Sequence, residues 1–209
     1  MPAAHYRNYR FDVPEADRLA SLAGAEQDIR GVKEFCVRLE SLIEAKNHDF
    51  VLYDALSTAA AISYGRCFKF SKVRERLPTD AINQAPVEHQ QTHNFIIALR
   101  DKHIAHSENP FEENNVTLQI ADHFICSAEV TAVNTAHGRA IGFPFDLPAR
   151  CRILTDWWLV WLKEEMKNEK KRLIDIARTK PLEELKRNEQ GVLAGDTGPH
   201  NVGSTRDRP

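Results

Sequence analysis

Apolar residues recur at intervals of three and four along most of the chain, the spacing that places them on one face of an α-helix. Gly24 and Gly31 weaken the first predicted helix and leave open that it splits in two. The second is apolar on most sides and is expected in the core, and the third ends before Pro110. The last carries the aromatic run Trp157–Trp161 into the core and continues as a charged rod. Four helices are predicted in this way, over about residues 15–46, 49–67, 87–107 and 148–187.

A different pattern occupies residues 111–148. Val116–Ile120 alternates with period two, and Glu129–Val133 contains enough β-branched residues to form a partner strand. His137-Gly138 is a predicted turn. The fold class that follows is mainly α, an up-and-down helical bundle with a small inserted β-hairpin.

The chain is long enough for one domain of ordinary size with extensions. We predict a single helical domain over 1–189, with 111–148 as the hairpin insertion. Residues 190–209 have almost no apolar content and are rich in Gly, Asp, Asn and Pro, so a disordered, dispensable tail is expected there.

Composition limits the classes of function. Of the 209 residues, 42% are hydrophobic and the formal net charge is −2, so any attraction to nucleic acid must come from a local patch. No apolar run is long enough to span a bilayer and no signal peptide is visible, so we expect no membrane partner. Four scattered cysteines without a C-x-x-C pair predict free thiols in a reducing cytoplasm, at Cys36, Cys67, Cys126 and Cys151.

The strongest chemical feature lies at the end of the third predicted helix. Within seven residues the chain places Arg100, Asp101, His103 and His106. A permanent cation, an acceptor and two imidazoles are the groups needed to move protons around a phosphate without a metal. The simpler interpretation is a network that orders the bundle, with the two histidines near the helix C-terminus, where the macrodipole favours a cation.

This arrangement, an Arg followed directly by Asp and then by Ala-His-Ser, resembles the R-x(4–6)-H motif of HEPN domains, with five residues between Arg100 and His106. The resemblance implies a HEPN-like up-and-down bundle that forms a homodimer and brings two motif helices together in a cleft. It implies a metal-independent endoribonuclease of toxin or antiphage-defence (abortive-infection) type, with an RNA substrate, an antitoxin protein as partner and no cofactor.

The resemblance also implies roles for the four site residues. His106 would act as general base on the ribose 2′-hydroxyl or steer the scissile phosphate, and Arg100 would neutralise charge on the phosphorane. Asp101 occupies the polar position that often follows the Arg, and His103 is an extra imidazole that the motif does not require. The alternative is a catalytically silent HEPN-like nucleotide-binding, RNA-binding or scaffold domain, since many family members keep the fold and lose activity.

A basic segment, residues 66–76, is the best candidate for phosphate binding outside the motif. Lysine and arginine can position a nucleic-acid backbone while aromatic rings stack on bases, here Phe68 and Phe70. The alternative is a solvated loop whose two phenylalanines enter the core. The predicted RNA contacts are Arg66, Lys69 and Lys72.

A metal site is not predicted. His89 and His93 have the i, i+4 spacing of zinc-binding helices, but no Glu lies between them and no third ligand is evident nearby.

Overall fold

The structure is a computed structural model that describes residues 9, 11, 13–72, 74–101, 112–121, 129–139 and 142–186. It is mainly helical with one small antiparallel sheet of two strands, which confirms the predicted class at that level. Short 3₁₀ turns cover Pro14–Ala16 and Ala81–Gln84. The elements are α1 (Asp17–Glu44), α2 (Phe50–Arg66), α3 (Val87–Leu99), β1 (Glu112–Ala121), β2 (Glu129–Arg139), α4 (Leu147–Arg178) and α5 (Leu182–Leu185).

One core joins the four long helices. Helix α1 packs against α2 and α4, and α3 packs against the same two helices. The buried apolar residues of α1 are spaced alternately three and four residues apart, so they form a narrow stripe along one face of the helix. Trp158 and Leu162 of α4 are fully buried in the same core. The stripe of α1 consists of Leu22, Ala25, Ile29, Val32, Cys36 and Leu39.

Helix α1 runs without a break through both of its glycines, so it does not split. At Gly24 the space of the missing side chain is filled by Arg74, whose Nη1 lies 3.1 Å from the position a Cβ would take. Packing of the continuous buried stripe therefore outweighs the low helix propensity of glycine.

Helix α2 belongs to the core on one side only. Its buried face is built from small and hydroxylated side chains, and its first turn exposes Phe50 and Val51 by 57% and 83%. Asp49 caps the helix by accepting a hydrogen bond from the Leu52 backbone N–H at 2.9 Å. The expectation that α2 is a core element is thus correct for one face, where the small residues allow close approach of α1 and α3.

Both strands of the hairpin are longer than predicted, and the predicted turn at His137-Gly138 is wrong. His137 and Gly138 lie within β2 and pair with Asn114 and Glu113 of β1. The residues between the two strands, 122–128, lie outside the described residues. Local turn propensity at His-Gly was outweighed because strand pairing extends through it.

Helix α4 is shorter than the predicted rod to residue 187. It ends at Arg178, and a separate short helix, α5, follows Pro181. Proline disfavours helical geometry at the residue before it, which explains the break. The predicted tail, 190–209, lies outside the described residues. Among the helices that are described, none has a segment long and apolar enough to cross a membrane.

Candidate functional site

Arg100 lies where the C-terminal end of α3 meets the C-terminal end of α2. Its backbone N–H still bonds to α3 carbonyls, and π-helical geometry covers Arg100 and Asp101. Such π-helical turns occur often at functional sites. The aliphatic stem of Arg100 packs on Gly65: a Cβ at position 65 would lie 3.1 Å from Cγ and 3.2 Å from Cδ of Arg100. The absence of a side chain at Gly65 therefore makes room for Arg100.

Asp101 holds two cations at this site. Arg100 Nη1 donates to its Oδ1 at 2.9 Å, and Lys69 Nζ donates to its Oδ2 at 2.5 Å. Desolvation raises the pKa of Asp101, but the hydrogen bonds from Lys69 and Arg100 outweigh it and hold the pKa below its usual value. The carboxylate is therefore ionised at neutral pH. Two cations contact one carboxylate, so one positive charge remains at the site. All three side chains are partly exposed, by 30–39%, so this charge is open to solvent.

The basic segment divides into two parts. Arg74 forms an ion pair with Asp28 at 2.8 Å, and Arg66 lies 3.7 Å from the same carboxylate with 61% of its side chain exposed. Arg66 is thus turned toward Asp28 of α1. Lys72 is exposed and makes no ion pair within the described residues. Of the predicted RNA contacts, Lys69 is the one that the fold joins directly to the motif.

The two phenylalanines of this segment differ in burial. Phe68 is buried beside Trp158, with ring centroids 5.2 Å apart, whereas Phe70 is 84% exposed. The alternative that both rings enter the core is therefore wrong for Phe70. Buried Phe68 anchors the segment, and the next aromatic ring is left in solvent between Lys69 and Lys72.

A buried hydrogen-bond network underlies the site, and no pattern in the sequence predicted it. Trp158 Nε1–H donates to Tyr64 Oη at 3.0 Å, and the Tyr64 hydroxyl is hydrogen-bonded to Nδ1 of His93 at 2.7 Å. Burial lowers the pKa of His93 to about 4, so its imidazole is neutral at pH 7. Tyr64 is the neighbour of Gly65 in the chain, so the network fixes the part of α2 on which Arg100 rests.

His93 therefore has a structural role in this network. Among the described residues no group of three or more His, Cys, Asp or Glu side chains is placed to hold a metal ion. Cys36, Cys67 and Cys151 are free and buried, as the cysteine pattern predicted, while Cys126 lies outside the described residues.

The two remaining predicted site residues, His103 and His106, lie outside the described residues. Phe95 and Leu99 are four residues apart on α3, about one helical turn, so they lie on the same face. Leu99 is buried, but Phe95 is 38% exposed, so that face of α3 is only partly covered by the chain itself. What the described site can offer is a fixed, solvent-accessible guanidinium with a lysine beside it, which suits a phosphate.

Comparisons with known proteins add no relative: no family model matches this chain, nor does any curated protein or solved structure.

Proposed function

We propose that this chain is a HEPN-like, metal-independent endoribonuclease of toxin or antiphage-defence type. The observation that carries the proposal is Arg100, a partly exposed guanidinium whose stem is seated on Gly65 and whose head is oriented by Asp101. A cation held in this way can meet a phosphate without first being ordered, which is what stabilisation of a charged transition state requires. The Arg-Asp-x4-His motif supplies the base.

In the proposed reaction His106 takes the proton of a ribose 2′-hydroxyl, and the 2′-oxygen attacks the adjacent phosphorus. Arg100 neutralises the charge on the phosphorane, and the bond to the 5′-oxygen breaks as that oxygen takes up a proton. The products are a 2′,3′-cyclic phosphate and a 5′-hydroxyl. General acid–base catalysis accelerates a reaction about 10²–10⁴-fold, and a preoriented hydrogen-bond donor at the developing charge accelerates it about 10²–10³-fold.

RNA binding is assigned to the basic segment beside the motif. Lys69 reaches Asp101, while exposed Lys72 and Arg66 can contact the phosphates of flanking nucleotides. The exposed ring of Phe70 is suited to stack on an unpaired base, so single-stranded RNA is the preferred substrate. The cationic groups act locally, because the chain as a whole carries a net charge of −2.

The proposal includes a two-fold homodimer in which two motif helices form one cleft. Partial exposure of Phe95, on the helix that carries Arg100, is consistent with further burial against a partner. Light scattering should give about twice the chain mass of 23.8 kDa. A monomer at high micromolar concentration would contradict the composite site. An antitoxin protein is the second partner that we propose for a toxin of this type.

Cleavage of RNA in EDTA tests the activity. The purified chain should cut a single-stranded or transfer RNA substrate, and Arg100→Ala or His106→Ala should lower the rate at least about 10²-fold. His89→Ala is the matched control, since His89 is a half-exposed imidazole on the same helix and should leave the rate unchanged. Chelation should have no effect.

The alternative function is a catalytically silent HEPN-like domain that binds nucleotides or RNA or acts as a scaffold. It is favoured by the ion pair that Arg100 already makes with its own chain at Asp101. A folded wild-type chain that binds RNA but leaves a broad panel of RNAs intact would select this alternative.

A further inference from the structure

A second surface feature is a groove between α1 and the second half of α4, with a volume of about 860 Å³. None of its lining residues belongs to the Arg100 site. One wall is formed by Glu26 and Arg30 of α1, which pair with each other at 2.6 Å. The other wall extends along α4 from Asp156 to Arg178.

The carboxylates of the groove are already neutralised. Besides Glu26, these are Asp156, which pairs with Lys33 at 2.6 Å, and Asp175, which pairs with Arg178 at 3.2 Å. Three lining cations make no ion pair within the described residues: Lys163, Lys170 and Lys171. The groove is therefore cationic although the chain as a whole is acidic.

The same groove has an apolar component. Val160 and Ile174 line it and remain 71% and 52% exposed, and the partly buried Leu159 and Met166 line it as well. Val160 to Arg178 extends about 27 Å along α4 at 1.5 Å per residue, which is the length of a helix of about 18 residues. Exposed aliphatic groups at helical spacing, flanked by cations, form an amphipathic binding surface.

We propose that this groove binds an acidic amphipathic helix of a partner protein. The apolar side chains of that helix contact Val160 and Ile174, and its carboxylates pair with Lys163, Lys170 and Lys171. Charge complementarity and the apolar floor favour this occupant over RNA, whose phosphates would use the lysines and leave the aliphatic groups uncovered. The chain's own residues 187–209 are a poor match, since their three acidic residues are balanced by three arginines. The inference is independent of the endoribonuclease activity, because it uses different residues and a different ligand.

Fluorescence anisotropy with the full chain tests it. The probe is a labelled peptide of about 18 residues with leucine at every third or fourth position and glutamate elsewhere. A twin peptide with lysine in place of each glutamate, and a short oligouridylate, serve as comparison ligands. The acidic peptide should bind most tightly, and added salt should weaken it.

Two pairs of substitutions separate charge from apolar contact. Lys170→Glu with Lys171→Glu should raise Kd for the acidic peptide about ten-fold. Val160→Ser with Ile174→Ser should raise it by a similar factor, because the buried apolar contact is lost. Lys46→Glu with Lys186→Glu changes two exposed lysines outside the groove and should leave Kd unchanged.

Three results would overturn the proposal. If the acidic peptide and its lysine twin bound with equal affinity, charge complementarity would not explain binding. If the groove substitutions left Kd unchanged, the peptide would bind elsewhere on the chain. Oligouridylate that binds as tightly, and depends on the lysines but not on Val160, would assign the groove to nucleic acid.

Discussion

At the scale of single residues, Gly31 of α1 and Gly65 of α2 differ in whether neighbouring atoms leave room for a side chain. Nothing lies within 4 Å of the position a Cβ would take at Gly31, whereas the same position at Gly65 meets the stem of Arg100. Glycine inside a helix costs about 0.5–1 kcal/mol relative to alanine. Gly31 thus carries that cost without a packing reason, while Gly65 gives Arg100 its place.

Gly31→Ala should raise the free energy of unfolding by about 0.5–1 kcal/mol in urea titration and leave RNA cleavage unchanged. Gly65→Ala should give a smaller gain or a loss, because Arg100 must shift by a few tenths of an ångström, and cleavage should fall. Normal cleavage by the Gly65 variant would show that the position of Arg100 on α2 is not important for activity.

At the scale of elements, the hairpin stands apart from the bundle. Its large apolar side chains lie on one face, as the strand register shows, and its described side chains are exposed almost throughout. An isolated hairpin of two strands is marginally stable in water, so this element adds little to the stability of the helices. The exposed apolar residues are Val116, Leu118, Ile120, Val130 and Val133.

Replacing 112–139 by a short Gly/Ser linker should therefore leave the thermal midpoint of the bundle almost unchanged, as differential scanning calorimetry can measure. Leu154→Ala is the control inside the bundle: Leu154 is fully buried, and its truncation should cost about 2–5 kcal/mol. If removal of the hairpin destabilised the chain as much as this truncation, the hairpin would be part of the folding core.

At the scale of the whole molecule, one buried network ties three helices together. Tyr64 of α2, His93 of α3 and Trp158 of α4 are linked by two hydrogen bonds, and the imidazole of His93 in this network is neutral at pH 7. Protonation of His93 would place a charge in the core, which burial disfavours. The network therefore makes the stability of the bundle depend on pH.

The pKa of His93 is about 4 in the folded chain, below its ordinary value of 6.5, so the unfolded chain takes up the proton first as pH falls. Stability is fully present above pH about 6.5 and is lost as pH falls from there through about 4. His93→Gln should be less stable at pH 7 but show a flatter decline over this interval in thermal melts. An equally steep decline in both proteins would assign the pH dependence to other groups.

The sequence by itself determined the helices, the hairpin and the adjacent pair Arg100-Asp101. These features depend on periods of two or three to four residues and on neighbours in the chain, which are local properties. The motif was visible for the same reason: a short spacing on one helix needs no knowledge of the fold.

Only the tertiary structure decided what completes the described site. Lys69 and Asp101 are 32 residues apart, and Tyr64 and Trp158 are 94 apart, so no local pattern joins them. It also decided that Phe68 is buried and Phe70 exposed. Both rings share one segment and one composition, and the difference arises from which of them meets Trp158 when the helices pack. Contacts between distant residues follow from how helix faces are covered, which the sequence of a single helix does not specify.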